Sequence, residues 1–256
     1  EEPSVVAAIN KAVKLFNIFG VSAYHDKYQR LTGQVHFNLK DISSVDISNY
    51  LKNHRDDITS ECVKLVPKLA RLISRGGGFV GPFIVKNLNN SNFFKLEFDL
   101  DVKESMGANT VNLVAENIAD HLKRVFQESI RIICSILSND CSERKSYACV
   151  TIPLYFQNLI SFEVAKKIQD ISTIAYLDKQ RAVTHNKGIM NGVTALAQAT
   201  GQDTRAIEAA VHSYAATMGN HKLYGPLSSW ELKNDILIGK ISLPSPVTTV
   251  GRLADF

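Results

Sequence analysis

The stretch "RAVTHNKGIMNGVTALAQATGQD", residues 181–203, gathers an arginine, a histidine, a lysine and an aspartate around one short helix. The spacing predicts that helix over 189–200, with Ile189, Val193 and Leu196 on its apolar face, so that Lys187 stands just ahead of the first turn. A cation at that place is disfavoured by a few tenths to ~1 kcal/mol, because the N-terminal end of the helix dipole is positive. Lys187 therefore needs an anion: a neighbouring carboxylate, or negative charge that develops on a substrate during reaction. Asp203 is one candidate. It is also a good N-cap for a helix starting at Thr204, and both roles are compatible because a cap uses one carboxylate oxygen. His185 lacks a second ligand at metal spacing, so it reads as a hydrogen-bonding histidine, and no metal is expected.

Two further stretches carry chemistry. In "ESMGANTVN", residues 104–112, a strand ends, Gly107 follows, and a helix begins near Asn109. Free N–H groups and the positive dipole end make such a place suited to a pyrophosphate, and Gly107 lets backbone approach a ligand closely. A plain strand-to-helix turn would read the same way. In "EEPSVV", residues 1–6, two glutamates precede Pro3 and a helix. They either complement the helix dipole or include a partly buried acid with a raised pKa, able to donate a proton.

Elements must position these groups. Residues 3–18 predict a helix with Val5, Ile9, Ala12, Val13 and Phe16 on one stripe; 56–75 predict another, interrupted at Pro67 and stopped by "RGGG". "QVHFNL", "FFKLEFDLDV", "SIRIICSIL", "SYACVTIPLYF" and "DILIGKISLP" read as strands, and a long helix with Val111, Val114, Ile118, Leu122 and Val125 follows Gly107. Helices are also expected over 189–200 and 204–218, ended by Gly201 and Gly219. The mixture has no regular βαβ rhythm, which makes the fold class α+β, and the GxGxxG fingerprint of a Rossmann dinucleotide site is absent.

The 256 residues allow one or two domains. A net charge of +4 suits phosphate-bearing small molecules but is too mild for a nucleic-acid partner. No apolar run is long enough to span a membrane, and no secretion leader precedes Glu1. Cys62, Cys134, Cys141 and Cys149 fit no zinc pattern and read as reduced, partly buried thiols of a cytoplasmic protein.

Taken in order, "EEPSVVAA", "ESMGANTVN" and "THNKGIMNG…ATGQD", with "LSND", "SSWE" and "SLPSPVTTVG" behind or between them, resemble the bacterial, second-class 3-hydroxy-3-methylglutaryl-coenzyme A (HMG-CoA) reductases, from Glu1 to about Gly251. The resemblance implies a soluble oxidoreductase of the mevalonate pathway that reduces HMG-CoA with NADPH or NADH to mevalonate and coenzyme A. It implies a homodimer with its active site at the subunit interface. Lys187 would stabilise the oxyanion, Glu2 would shuttle protons to it, and Asp203 would tune both. Ser4 and Arg181 would hold the HMG carboxylate, and Asn191 would support the lysine. Met106, Gly107, Asn109 and Asn139 would face the cofactor. A small, non-Rossmann, ferredoxin-like nicotinamide domain, roughly Leu31–Leu137, would be inserted into a large domain of residues 1–30 and 138–256.

In NADH-preferring relatives an aspartate before the glycine run reads the ribose 2′-hydroxyl. Counting back seven positions from Gly76 reaches Leu69, flanked by Lys68 and Arg71, which favours NADPH. Two departures stand out. Glu104 replaces the usual aspartate, and where relatives have a further N-terminal segment and a C-terminal flap with a catalytic histidine, this sequence starts at Glu1 and closes on "RLADF". The expectation is the core of the enzyme. Its alternatives are a ligand-binding relic without turnover and a reductase of a different acyl-CoA thioester.

Overall fold

A computed structural model describes residues 3–156, 159–219 and 223–248. In chain order the elements are α1 (Pro3–Phe19), β1 (Ser22–His25), β2 (Arg30–Leu39), α2 (Ser44–Asn53), α3 (Arg55–Leu65), α4 (Pro67–Ser74), β3 (Gly78–Asn87) and β4 (Phe94–Asp101). They continue with α5 (Ala108–Phe126), β5 (Ile130–Leu137), β6 (Lys145–Pro153), α6 (Phe162–Leu177), α7 (Lys179–Ala199), α8 (Thr204–Ala215), β7 (Ser228–Lys233) and β8 (Ile236–Pro244). The chain divides into two compact units, Glu1–Asp26 with Arg144–Pro246, and Lys27–Glu143 with Val247–Phe256. Helix and strand mix in both, as the α+β reading requires.

The unit from Lys27 to Glu143 is built on an antiparallel sheet in the order β3-β4-β2-β5. Period-two alternation decides its faces. Leu31, Val35 and Phe37 of β2 and Leu96, Phe98 and Leu100 of β4 are buried. Gly33 leaves room for this layer, since a Cβ there would fall 2.2 Å from the Phe98 ring. Val111, Val114, Ile118 and Leu122 of α5 and Ile58, Cys62, Leu69 and Leu72 of α3 and α4 complete the core. The opposite sheet face is polar: Thr32 donates to Asp99 at 2.7 Å and Gln34 to Glu97 at 2.9 Å. Pro67 opens α4 at its first turn, where its missing N–H costs nothing. α2 was not expected; a Ser43–Asp46 capping box starts it, with Ile47 and Leu51 buried.

The other unit has an antiparallel sheet in the order β1-β6-β8-β7. Val150, Ile152 and Leu237 of the sheet, with Leu154 just past β6, meet Ala165 of α6 in a small core. α6 also escaped the sequence reading. It buries only small residues, Ala165, Ser172 and Ala175, while Ile171, Ile174 and Leu177 point to solvent. It holds the neighbouring strand through polar groups: Ser172 Oγ accepts from Trp230 N at 3.0 Å and Gln169 Oε1 from Leu232 N at 2.7 Å. The expected stripe of α1 differs too. Ile9 and Val13 are exposed, and the inward positions are Ala12, Phe16 and Phe19, which are half-buried. The side chain of Val5 lies outside what is described. Among the cysteines, Cys62, Cys141 and Cys149 are buried or half-buried, whereas Cys134 is exposed; all four are free thiols.

Candidate functional site

α7 begins at Lys179, ten residues earlier than the sequence reading placed it, with the Asp178 side chain accepting from Gln180 N as N-cap. Lys187 is therefore mid-helix, and the dipole argument for an anion at this lysine does not apply. Gly188 lay just ahead of the expected helix and Gly192 within it, and the helix runs through both. A helical glycine costs about 1 kcal/mol against alanine, a penalty that packing along a helix of 21 residues absorbs.

The continuous helix has its own consequence. At 3.6 residues per turn, Arg181, Gly188 and Gly192 form one stripe, and Lys187 with Asn191, four apart, forms the next. Arg181 and Lys187 stand about 120° apart around the axis with Asn191 between them, and the two cations are about 9 Å apart along the axis by helical rise. A Cβ at Gly188 or Gly192 would meet nothing within 4 Å, so nothing among the described residues requires glycine there; the backbone is bare to an approaching group. Lys187 is exposed, while Arg181 and Asn191 are half-buried. Among the described residues Lys187 forms no ion pair, with Asp203 or any other carboxylate.

Two neighbours of this face fix the helix. His185 Nε2 lies 2.8 Å from Ser228 Oγ, in keeping with a hydrogen-bonding histidine. Its burial, then the Arg181 guanidinium, lowers its pKa and favours the neutral ring. Asn186, which the sequence reading passed over, is fully buried, donating to Gly225 O at 2.9 Å and accepting from Leu227 N at 3.0 Å. Its polar type at the centre of "THNKG" was the available signal. A mostly apolar pocket of about 530 Å³ lies beside α7, lined by His185, Gly188 and Ile189 with Phe16, Cys149 and Trp230. It touches the cationic face only at Gly188.

Asp203 is the N-cap of α8, its Oδ1 accepting from Ala206 N at 3.0 Å. The residue is exposed, and the second carboxylate oxygen remains for other work. Ser4 is exposed in the first turn of α1. Glu2 lies outside the described residues.

In the other unit, "ESMGAN" folds as a turn into α5. Gly107 is its N-cap with φ +90°, and a Cβ there would sit 2.5 Å from Val102 Cγ1. Backbone conformation and packing both demand glycine. No side chain among the described residues caps the helix, and its first turn, including the exposed Asn109, carries N–H donors that a 19-residue dipole reinforces. Met106 is half-buried beside the turn. Asn139 is exposed two residues past Leu137, whose N–H donates to Asn112 Oδ1 of α5 at 2.9 Å. Asn112, the second asparagine of "GANTVN", thereby holds the end of β5 against the start of α5, and it too was missed. Lys68 and Arg71 are exposed on α4, but Leu69 between them is fully buried, so the position reached by counting back cannot read a ribose. Among the described residues no cluster of three or more metal-ligating side chains occurs, and no helix is long and apolar enough to cross a membrane.

Known proteins share the sequence and the fold. The family model for hydroxymethylglutaryl-coenzyme A reductase matches residues 1–254. The probable HMG-CoA reductase of Borreliella burgdorferi is 34% identical over 273 residues, covering 100% of this chain and 57% of the relative. The enzyme of Archaeoglobus fulgidus is 32% identical over 255 residues, covering 98% of this chain and 55% of the relative. Among solved structures, HMG-CoA reductase from Streptococcus pneumoniae superposes with a TM-score of 0.84 at 31% identity, covering 98% of this chain and 59% of that one. The class II enzyme of the same organism, bound to NADPH in open conformations, gives 0.84 at 32% identity, covering 98% and 67%. The chain spans just over half the length of the curated relatives it matches. The family model spans nearly the whole sequence, and the chain belongs to the hydroxymethylglutaryl-coenzyme A reductase family.

Proposed function

We propose that the protein reduces HMG-CoA to mevalonate and coenzyme A, using two equivalents of NAD(P)H and two protons, as the catalytic core of a class II enzyme of the mevalonate pathway. The observation that carries this reading is the face of α7, where Arg181, Lys187 and Asn191 border bare backbone at Gly188 and Gly192. Arg181, with Ser4, binds the HMG carboxylate; a guanidinium pairs with such a group in a bidentate way. Lys187 faces the thioester carbonyl, and its ammonium stabilises the oxygen as each hydride adds to the carbon. Asn191, one turn on, orients Lys187. Asp203 would tune Lys187 and Glu2 through its uncapped oxygen, and Glu2 would supply the proton to the substrate oxygen. The first addition gives a thiohemiacetal, which collapses to mevaldehyde and coenzyme A thiolate; the second gives mevalonate.

The uncapped N–H groups after Gly107 and the nearby Asn109 and Asn139 suit a dinucleotide diphosphate, with Met106 against the nicotinamide. Bound there, the cofactor supplies the hydrides. This assigns residues 31–137 to cofactor binding and residues 1–30 with 138–256 to HMG-CoA. The β-α-β-β-α-β order and sheet order β3-β4-β2-β5 support a ferredoxin-like description of the former. NADPH is the favoured cofactor. The active form is a cytoplasmic homodimer, each site completed by the second copy. Large apolar side chains exposed on α1 and α6, among them Val6, Ile9, Phe162 and Ile174, favour burial in such an assembly.

The test is HMG-CoA binding measured beside NAD(P)H oxidation in the full-length protein. Binding with oxidation is expected. Binding without oxidation would identify a ligand-binding relic, and failure of HMG-CoA to bind would point to a different acyl-CoA thioester.

A further inference from the structure

Of the four free thiols, Cys134 is the exposed one. Cys62 and Cys141 are buried, and burial, then the Glu61 carboxylate, pushes the Cys62 thiol up to about 12. Cys149 is half-buried. Cys134 lies on β5, at an edge of the β3-β4-β2-β5 sheet, and its Sγ stands 3.5 Å from Nδ1 of His36 on β2, close enough for the thiol to donate to the ring. We propose that Cys134 and His36 form a thiol-exchange site, separate from the residues assigned above to HMG-CoA and the cofactor, at which Cys134 takes up a low-molecular-weight disulfide bearing carboxylates as a mixed disulfide.

The sheet register builds the site. Cys134 pairs with His36, His36 with Lys95 and Lys95 with Lys86, so one row of side chains crosses the polar face from edge to edge. A bulge interrupts β5 beside it: His36 pairs with Cys134 but Phe37 with Ile132, which leaves Ile133 as the extra residue. The shift brings Arg131 opposite Asn38, where its Nη2 donates to Asn38 Oδ1 at 2.9 Å. Arg131 forms no ion pair among the described residues. It stands about 10 Å along the strand from Cys134 at ~3.3 Å per residue, within reach of the arms of a small disulfide. Glu97, the carboxylate of the adjoining row, is shared between Lys86 and Lys95, each at 2.6 Å. Three cations and one carboxylate thus lie in or beside the row of Cys134, which favours an anionic partner. A guanidinium is suited to its carboxylates.

His36 supplies the base. The groups that face it are Lys95 and Glu97 of β4 and Cys134 of β5. Its burial, then Lys95, lowers its pKa below the ordinary 6.5 against the opposing effect of Glu97, so the ring is neutral and accepts a proton at pH 7. Nδ1 takes the thiol proton as Cys134 Sγ attacks one sulfur of the small disulfide. A bond forms between Sγ and that sulfur, the S–S bond of the small disulfide breaks, and the leaving thiolate takes the proton from His36. Cys134 is oxidised to the mixed disulfide and the departing half is reduced to a free thiol, with no other reactant.

The experiment treats the full-length protein with oxidised glutathione, whose arms are anionic, or with cystamine, whose arms are cationic. Intact mass and peptide mapping locate the adduct, and each rate is normalised to that of 2-mercaptoethanol with the same disulfide. Glutathione should appear on Cys134 ahead of Cys62, Cys141 and Cys149, at a normalised rate above that of cystamine, and Cys134→Ser should remove this first adduct. His36→Gln should slow the reaction at least about tenfold at pH 7 and much less above pH ~8.5, where a free thiol ionises without a base. Arg131→Gln should slow oxidised glutathione about threefold and leave cystamine unchanged or faster. Circular dichroism checks that each variant folds, and the wild-type order of thiols and of disulfides tests the site without any variant. Modification of Cys149 ahead of Cys134, a normalised rate higher with cystamine, or a His36→Gln rate equal to wild type at pH 7 would overturn the assignment.

Discussion

Replacing Lys187 by alanine separates the two ways in which this residue could matter. The side chain is exposed, mid-helix and unpaired among the described residues, so its loss should leave stability within about 0.5 kcal/mol of wild type. The catalytic effect depends on what surrounds the ammonium during reaction. Facing an oxyanion at ~4 Å through bulk water, a cation contributes about 1 kcal/mol; at an effective dielectric of ~20 it contributes about 4. The proposal requires the second regime, which matches the ~3–4 kcal/mol lost when an oxyanion partner is removed. Lys187→Ala should therefore lower kcat by about 10²–10³-fold while the Kd for HMG-CoA stays within a few fold, because the charge forms only in the transition state. Lys187→Arg should recover little, since a planar fork does not replace a compact ammonium. The assay is steady-state NAD(P)H oxidation with HMG-CoA binding measured separately. A kcat reduced less than about fivefold would mean that Lys187 remains solvated throughout, and the oxyanion role would be abandoned.

Gly107→Ala should destabilise the protein by about 2–5 kcal/mol, combining a left-handed residue with overpacking against Val102, and should weaken nucleotide binding more than HMG-CoA binding; an unchanged melting temperature would refute the packing argument. Asp203→Asn keeps an N-cap and removes a charge, so stability should hold while turnover falls; Asp203→Ala should in addition cost about 1 kcal/mol, and equal turnover in Asp203→Asn and wild type would reduce Asp203 to a cap. Burial opposes ionisation of Glu97, but hydrogen bonds from Lys86, Lys95 and Gln34 outweigh it and hold its carboxyl at about 2, below its ordinary 4.5. A depressed carboxylate contributes stability that is complete above pH 4.5 and lost as pH falls toward 2, so Glu97→Gln should flatten acid unfolding across that window; an identical acid titration would show that the three hydrogen bonds do not act as described.

Legibility followed the size of what was buried. β4 and α5 present large apolar residues at strict period, Leu96, Phe98 and Leu100, then Val111, Val114 and Ile118, and both were readable. α6 hid because its fully buried positions are Ala165, Ser172 and Ala175, and of its bulky residues Ile168 packs inward while Ile171, Ile174 and Leu177 are exposed. β3 hid because Gly81 and Pro82 interrupt it where its register with β4 shifts between Val80 and Ile84. The start of α7 was misplaced because its apolar stripe was counted only from Ile189 onward. The site residues were readable mainly as motifs. Local physics alone identified the Gly107 turn and the Asp203 cap, but assigned Lys187 a significance at a helix end that it does not have. Asn112 and Asn186 make contacts distant in sequence, and a single sequence without the fold gives no distance.

The central claim is a four-electron reduction of one thioester, and its most direct measurement is stoichiometry. Full-length protein is incubated with HMG-CoA and excess NADPH, and oxidised cofactor is compared with free thiol released. The account predicts two NADPH oxidised for each coenzyme A freed, with mevalonate as the product. Thiol release without cofactor oxidation would identify a hydrolase, and one NADPH per thiol with mevaldehyde accumulating would contradict a single site that carries both hydride transfers.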